Sequence, residues 1–172
     1  MKDELSHFSA SGRARMVDVS EKPVSQRVAV ASGLLRMQPE TFSRIQAGKI
    51  AKGDVLTVAD VAAVMAAKRT ADLIPMCHTL PLTGVEISFN EIITPDTSGC
   101  VGLGVIATVR CVGQTGVEME ALCAASMALL TVYDMCKAID KGMRIEHIQL
   151  EEKRGGKHGV WQRDISAAKV KT

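Results

Sequence analysis

The chain has 172 residues, 47% of them hydrophobic and 23% charged, and a formal net charge of +2. That length suits one domain with a real core, and the small net charge removes any need for a nucleic-acid partner. No apolar run approaches the roughly 18 to 20 residues that span a bilayer, so no membrane partner is expected.

The first residues, MKDELSHFSASGRAR, lack the apolar h-region of a secretory signal. Residues 1–15 are polar, aperiodic and expected to be a disordered tail, ending before Met16-Val17-Asp18-Val19-Ser20. Arg27 to Met37 reads as a first strand, with Gly33 marking a bulge. Pro39 opens a short helix that runs to Ala47 and closes at Gly48. After the loop Lys49 to Asp54, Asp54 caps a second helix whose buried face is expected to carry Val55, Val58, Ala62, Met65 and Ala66. Ala71 to Leu82 contains Pro75 and Pro81 and predicts a fixed, irregular loop around Met76, Cys77 and His78.

Val85 to Ile93 alternates apolar and polar, turn residues fill Thr94 to Gly99, and Val101 to Val112 alternates again; the pair predicts a hairpin. Thr115 to Lys137 reads as one long helix, with a T-x-x-E capping box at Thr115 and Glu118. Its apolar face is expected to carry Met119, Leu122, Ser126, Leu129, Leu130 and Tyr133, and its small residues invite close packing. Met143 to Glu152 forms a last strand, with a bulge near Glu146-His147. A basic glycine-rich loop, Lys153 to Gly159, precedes a C-terminal tail from 161 to 172. The order β, two helices, β, β, long helix, β predicts an α+β domain over 16–160: a ferredoxin-like antiparallel sheet with helices packed on one face. Ile106 and Val112 would leave the second face partly apolar, which predicts an oligomer that covers it.

Five cysteines, an odd number with no C-x-x-C, predict reduced thiols in the cytoplasm rather than a disulfide framework or a zinc site. Aromatic residues make up 3%, and Phe89 is the only one in an expected strand, so a stacking platform for single-stranded RNA is missing. The loops instead gather lysines and arginines beside glycines, at Lys52-Gly53 and Gly155-Gly156-Lys157. That combination suits an anionic, phosphorylated small molecule, because glycine lets backbone amides approach while cations neutralise the phosphates. Neither loop is a P-loop, and Gly102-Leu103-Gly104 sits inside a strand without the third glycine of a dinucleotide fingerprint.

Asp134 and Lys137 lie at i,i+3, a spacing that by itself means a surface ion pair. His78, between two prolines, is either a buried hydrogen-bonding group or a catalytic one. Glu120 and Asp134 sit on nearly the same helix face about 21 Å apart, too far to touch one small reacting centre. Either the substrate is long or a site is shared between subunits.

Six stretches together carry a resemblance. They are Lys52-Gly53-Asp54-Val55-Leu56, Ala66 to Thr70, Leu73 to His78, Thr115 to Leu122, Tyr133 to Lys137 and Gly155-Gly156-Lys157. They resemble the molybdenum cofactor biosynthesis protein C family, the cyclic pyranopterin monophosphate synthases, from about Met16 to Gly159. The resemblance implies a ferredoxin-like subunit, a homohexamer built as a trimer of dimers, and active sites at dimer interfaces. It implies conversion of 3′,8-cyclo-7,8-dihydroguanosine triphosphate to cyclic pyranopterin monophosphate with release of pyrophosphate. By motif match it makes Asp134, Lys137, Lys52 and His78 catalytic, and Met76, Cys77, His78, Met119, Glu120, Lys153 and Arg27 substrate-binding. It implies no cofactor and no protein-held metal; a magnesium ion travelling with the substrate's phosphates is compatible with it. The chain departs at Met76, Thr79 and His158, where leucine, proline and serine are usual, and keeps every proposed catalytic group. A non-catalytic ligand sensor is the competing reading, and the Asp134–Lys137 pair with His78 and Lys52 argues against it.

Overall fold

A computed structural model describes residues 12–48, 50, 53–157 and 159–164. The elements follow as β1 (Ser25–Met37), α1 (Pro39–Gln46), α2 (Val55–Lys68), α3 (Thr70–Leu73), β2 (Leu82–Ile92), β3 (Val101–Gly113), α4 (Glu118–Cys136), β4 (Arg144–Arg154) and β5 (Trp161–Gln162). The five strands form one antiparallel sheet in the order β2-β3-β1-β4-β5. The β2–β3 hairpin forms as its alternation predicts. Trp161–Gln162, placed by the sequence in the C-terminal tail, instead pair with Lys153 and Glu152 of β4 and put a second aromatic in the sheet.

One face of the sheet carries the core. Ala29, Ala31 and Leu35 of β1 and Val105, Ala107 and Val109 of β3 are fully buried, and α4 packs over β1, β3 and β4 with α2 beside it. Asp54 caps α2 as expected, its Oδ1 accepting from the amides of Leu56 and Thr57 at 3.1 Å each. Gly33 is no bulge: it stays in register with Val105 of β3 and Ile148 of β4. A Cβ there would lie 2.8 Å from Leu129 Cδ1, so the missing side chain is what lets α4 approach β1. Real irregularities lie in β4, where the ladder skips Glu146, as expected, and also Glu151, which alternation alone does not reveal.

Both major helices turn a different face inward from the one their large apolar residues suggest. In α4 the buried residues are Glu120, Ala121, Ala124, Ala125, Ala128, Leu129, Val132, Met135 and Cys136. Of the expected face only Leu129 is buried; Met119 and Leu130 are exposed, and Leu122, Ser126 and Tyr133 are half-buried. In α2 the buried set is Val55, Ala59, Ala63, Ala66 and Ala67, while Val58 and Met65 point to solvent. The cause is the gap between the helices: alanine faces let α2, α4 and the sheet pack closely, and the larger side chains are turned outward. An apolar helix with this pattern is apolar all round. Contrary to the expectation that no run reaches that length, α4 is long and apolar enough to cross a membrane, but half of it is buried against the sheet and α2, as in a core helix.

The second face of the sheet is mixed. Arg110 pairs with Glu86 at 2.8 Å, Arg36 with Glu146 at 3.2 Å, and Ser32 donates to Glu151, while Ile106 and Val112 stay exposed.

Candidate active site

The site is built where the N-terminal end of α4 meets the ends of β1 and β4 and the proline-bounded loop. After the single turn of α3, the amide of Cys77 donates to Ile74 O at 3.0 Å and fixes the loop that carries Met76, Cys77 and His78. His78 Nε2 lies 2.9 Å from Val17 O. A carbonyl can only accept, so Nε2 is the donor here and a neutral ring keeps Nδ1 as its acceptor. The loop and residues 17–19 are therefore one wall.

The expected capping box of α4 does not form. Val117 is the N-cap and no side chain caps the helix. Glu118 turns instead to β4, where its Oε1 accepts from Lys153 Nζ at 2.9 Å. A charged partner across the site competes successfully with a local amide. Two residues on, Glu120 is buried, with 4% of its surface exposed. Burial first, and then the like charge of Glu118, raise its carboxyl above the ordinary glutamate range. The same environment pushes up the neighbouring thiols: burial and then Glu120 raise both Cys77 and Cys111.

The raised Glu120 carboxyl makes a pH-dependent prediction. The folded chain holds that proton more tightly than the unfolded chain, so the stabilising contribution is complete below the ordinary value and lost as pH rises through the raised one. Glu120→Gln should therefore melt at a higher temperature than wild type above that window and at the same temperature below it. Melting curves from about pH 4 to about pH 8 check this; a wild-type advantage at the alkaline end would mean that the carboxylate is well compensated.

Arg27, on β1 opposite Cys111, is also buried. Its Nε donates to Gly113 O and its Nη2 to Gln114 O, both at 3.2 Å. Gly155 and Gly156 follow β4 with φ of +97° and +78°, and a Cβ on Gly156 would overlap the Arg27 guanidinium. The basic loop is thus glycine-rich because it lies directly on a buried arginine.

Two adjoining cavities result. The larger, about 680 Å³, gathers the cations Lys22, Arg27, Lys153, Arg154 and Lys157 against the carboxylates of Glu21 and Glu118. The smaller, about 370 Å³, is lined by Met76, Cys77, His78, Leu80, Met119 and Glu120, with Val17 and Val19. Lys22, Thr115, Gly116 and Glu118 belong to both. The geometry offers an anion-binding chamber joined to a chamber with apolar walls and a few convergent polar groups. Among the described residues no three His, Cys, Asp or Glu side chains come together as a metal site.

The structure therefore brings Arg27, Met76, Cys77, His78, Met119, Glu120 and Lys153 to one place. It does not bring Asp134 and Lys137 there. They form an ion pair of 2.7 Å at the other end of α4, each more than half exposed, about 21 Å along the axis from Glu120. The hydrogen bond that Lys137 donates to Asp134, and then the charge of that carboxylate, raise the Lys137 ammonium above its ordinary value, so this lysine is held protonated. Lys52 lies outside the described residues. Sequence reasoning missed Lys22 and Gln114: a lone lysine before Pro23 and a glutamine after a strand carry no pattern that marks them.

Comparison with known proteins supplies what geometry alone cannot. The MoaC family matches residues 16–156. The cyclic pyranopterin monophosphate synthase of Chloroflexus aggregans is 58% identical over 165 residues, covering 96% of this chain and 97% of the relative. The protein of the same name from Brevibacillus brevis is 56% identical over 163 residues, covering 95% and 98%. That from Listeria monocytogenes is 54% identical over 161 residues, covering 94% and 97%. With a match of this length and relatives this similar from end to end, the chain belongs to the MoaC family.

Proposed function

We infer that this chain works as a cyclic pyranopterin monophosphate synthase, an enzyme of molybdenum cofactor biosynthesis, and that its two cavities divide the substrate between them. The observation that carries the division is the segregation of charge. The larger chamber is cationic and suits the triphosphate of 3′,8-cyclo-7,8-dihydroguanosine triphosphate, while the smaller offers thioether, thiol, imidazole and a buried carboxyl to the fused rings. Glu120 can accept from the ring N–H and amino groups of a guanine-derived base, and His78 lines the same chamber. Formation of the cyclic monophosphate joins a ribose oxygen to the α-phosphorus and breaks the bond to the β-phosphate. The pyrophosphate that leaves develops negative charge, which Arg27, Lys153 and Lys157 of the larger chamber stabilise.

The proton transfers at the base and ribose need an acid and a base, and the Asp134–Lys137 pair supplies them, with Lys52 as a further catalytic lysine. The pair comes from a neighbouring subunit. Along α4, Met119, Leu122, Cys123, Ser126, Met127 and Leu130 form an outward stripe between the two functional ends, Leu130 being 50% exposed. A second copy packed antiparallel on that stripe across a two-fold axis would lay its Asp134 and Lys137 near the first copy's Glu120. This supports an isologous dimer with two shared sites. The trimer of such dimers, the ferredoxin-like name for the subunit and a cytoplasmic location rest on the family resemblance.

The direct test is to incubate the purified protein with the cyclised GTP intermediate and follow pyrophosphate and pterin formation. Release of pyrophosphate with formation of cyclic pyranopterin monophosphate is expected. Tight binding without turnover would instead make the chain a ligand sensor.

A further inference from the structure

Residues 17–23 have no place in the sheet, yet they wall both cavities. Val17 and Val19 alternate with exposed Asp18 and Ser20 and turn toward the smaller chamber. Ser20 folds back on Asp18, its amide and hydroxyl donating to Oδ1 at 2.9 and 2.6 Å. The amide of Lys22 then donates to Val19 O at 2.9 Å and closes a turn. Pro23 leads into β1. The segment is a strap, short of backbone partners in the sheet and exposed over most of its length.

Among the described residues, two hydrogen-bonding contacts tie the strap to the domain. One is the bond from His78 to Val17 O. The other is Gln114, in the loop between β3 and α4. Its Nε2 donates to Ser20 O at 2.9 Å and to Lys22 O at 3.1 Å, so both hydrogens of one carboxamide clasp the turn. The backbone carbonyl of Gln114 accepts from Arg27 Nη2 at 3.2 Å. One residue thereby references two cations to each other: Arg27 through its main chain and Lys22 through its side chain. Lys22 and Arg27 both line the larger chamber, and among the described cations Lys22 alone lines the smaller one as well.

We propose that Gln114 is a positioning residue of this site, latching the strap turn Val19–Lys22 so that Lys22 stands with Arg27 as one preset cation pair for the substrate's pyrophosphate-bearing end. This rests on the synthase reading and adds to it a latch and a cation. A flexible lysine on a free segment would have to be ordered at each binding event; one clasped at its carbonyl has lost less freedom on meeting the anion. Gln114 touches no substrate atom in this scheme and acts only through Lys22 and Arg27.

The test is a double-mutant cycle read by equilibrium binding of inorganic pyrophosphate, measured by calorimetry on the full chain. Lys22→Gln should weaken binding about tenfold in the wild-type background, the scale of one lost charge-assisted contact. In a Gln114→Ala background, which should itself bind more weakly than wild type, the same change should cost less than about twofold, because the lysine is no longer held in place. As a second readout, glutamyl endoproteinase should cut the Glu21–Lys22 bond faster in Gln114→Ala than in wild type, and pyrophosphate should slow that cut in wild type. Equal costs of Lys22→Gln in both backgrounds, wild-type binding by Gln114→Ala, or no binding of pyrophosphate to the wild-type chain would each overturn the proposal. Because the probe needs no turnover, a protein that couples Gln114 to Lys22 but converts no substrate would sink the enzymatic reading and leave the latch standing.

Discussion

Asp134→Asn and Lys137→Ala should each lower turnover by at least ~100-fold, the usual scale for a positioned acid or base, while leaving the melting temperature where it was. The two halves of that expectation have different sources. In the single subunit the pair is an exposed i,i+3 contact of 2.7 Å, and such pairs add little to stability because water screens them and holding long side chains costs entropy. If their purpose were structural, removing either would be nearly silent in every assay. The proposed chemistry sets them against a neighbouring subunit's substrate, where the partner's surface excludes water and the same charges act in a lower dielectric. The measurement is pyrophosphate release at saturating substrate, alongside thermal melts of each variant. Near-normal turnover in a folded Asp134→Asn protein would return the pair to the status of a surface ion pair.

Mixing two inactive variants should restore activity. Glu120→Ala loses the buried carboxyl of the smaller chamber, and Asp134→Asn loses the proposed acid or base at the far end of α4. If each site takes Glu120 from one subunit and Asp134 from its neighbour, a mixed dimer has one doubly defective site and one intact site. Random pairing after joint unfolding and refolding makes half the dimers mixed, so activity should recover to ~25% of wild type. The motivation is rigid geometry: about 21 Å of helix separates the two residues, and no flexing of α4 brings them together. Should both residues serve a site within one chain, every site keeps one defect and the mixture stays inactive. Native mass spectrometry of isotopically distinguished subunits confirms the exchange on which the result depends.

Much of this site was legible from residue types in a row. Pro75 and Pro81 restrict the backbone on either side, so Met76, Cys77 and His78 could be placed on one fixed loop before any fold was known. Gly155-Gly156-Lys157 announced an approach of backbone to charge, although it is the buried guanidinium of Arg27 that the glycines accommodate. Other expectations failed where two structures compete for one side chain. Glu118 had the spacing of a capping box, and a local hydrogen bond is all that spacing can report. Lys153, thirty-five residues later, offered a stronger partner. The buried faces of α2 and α4 failed for a related reason: large apolar residues mark a face that prefers to leave water, without saying whether the same chain or another copy covers it.

By itself the sequence determined the local and the chemical: the longer strands and helices though not α3 or β5, the Asp54 cap, the β2–β3 hairpin, the family, and most of the candidate residues for phosphate and proton transfer. These depend on period, turn residues and motif identity, which are properties of neighbours along the chain. Only the tertiary structure decided which of those residues meet. It placed Arg27 of β1, Lys153 of β4, Glu120 of α4 and His78 of the loop around two joined chambers, put Lys22 and Gln114 among them, and left Asp134 and Lys137 at the far end of a rigid helix. Pairings over such sequence separations are set by the packing of alanine faces and by which buried charges find partners, and neither leaves a periodic mark in the order of residues.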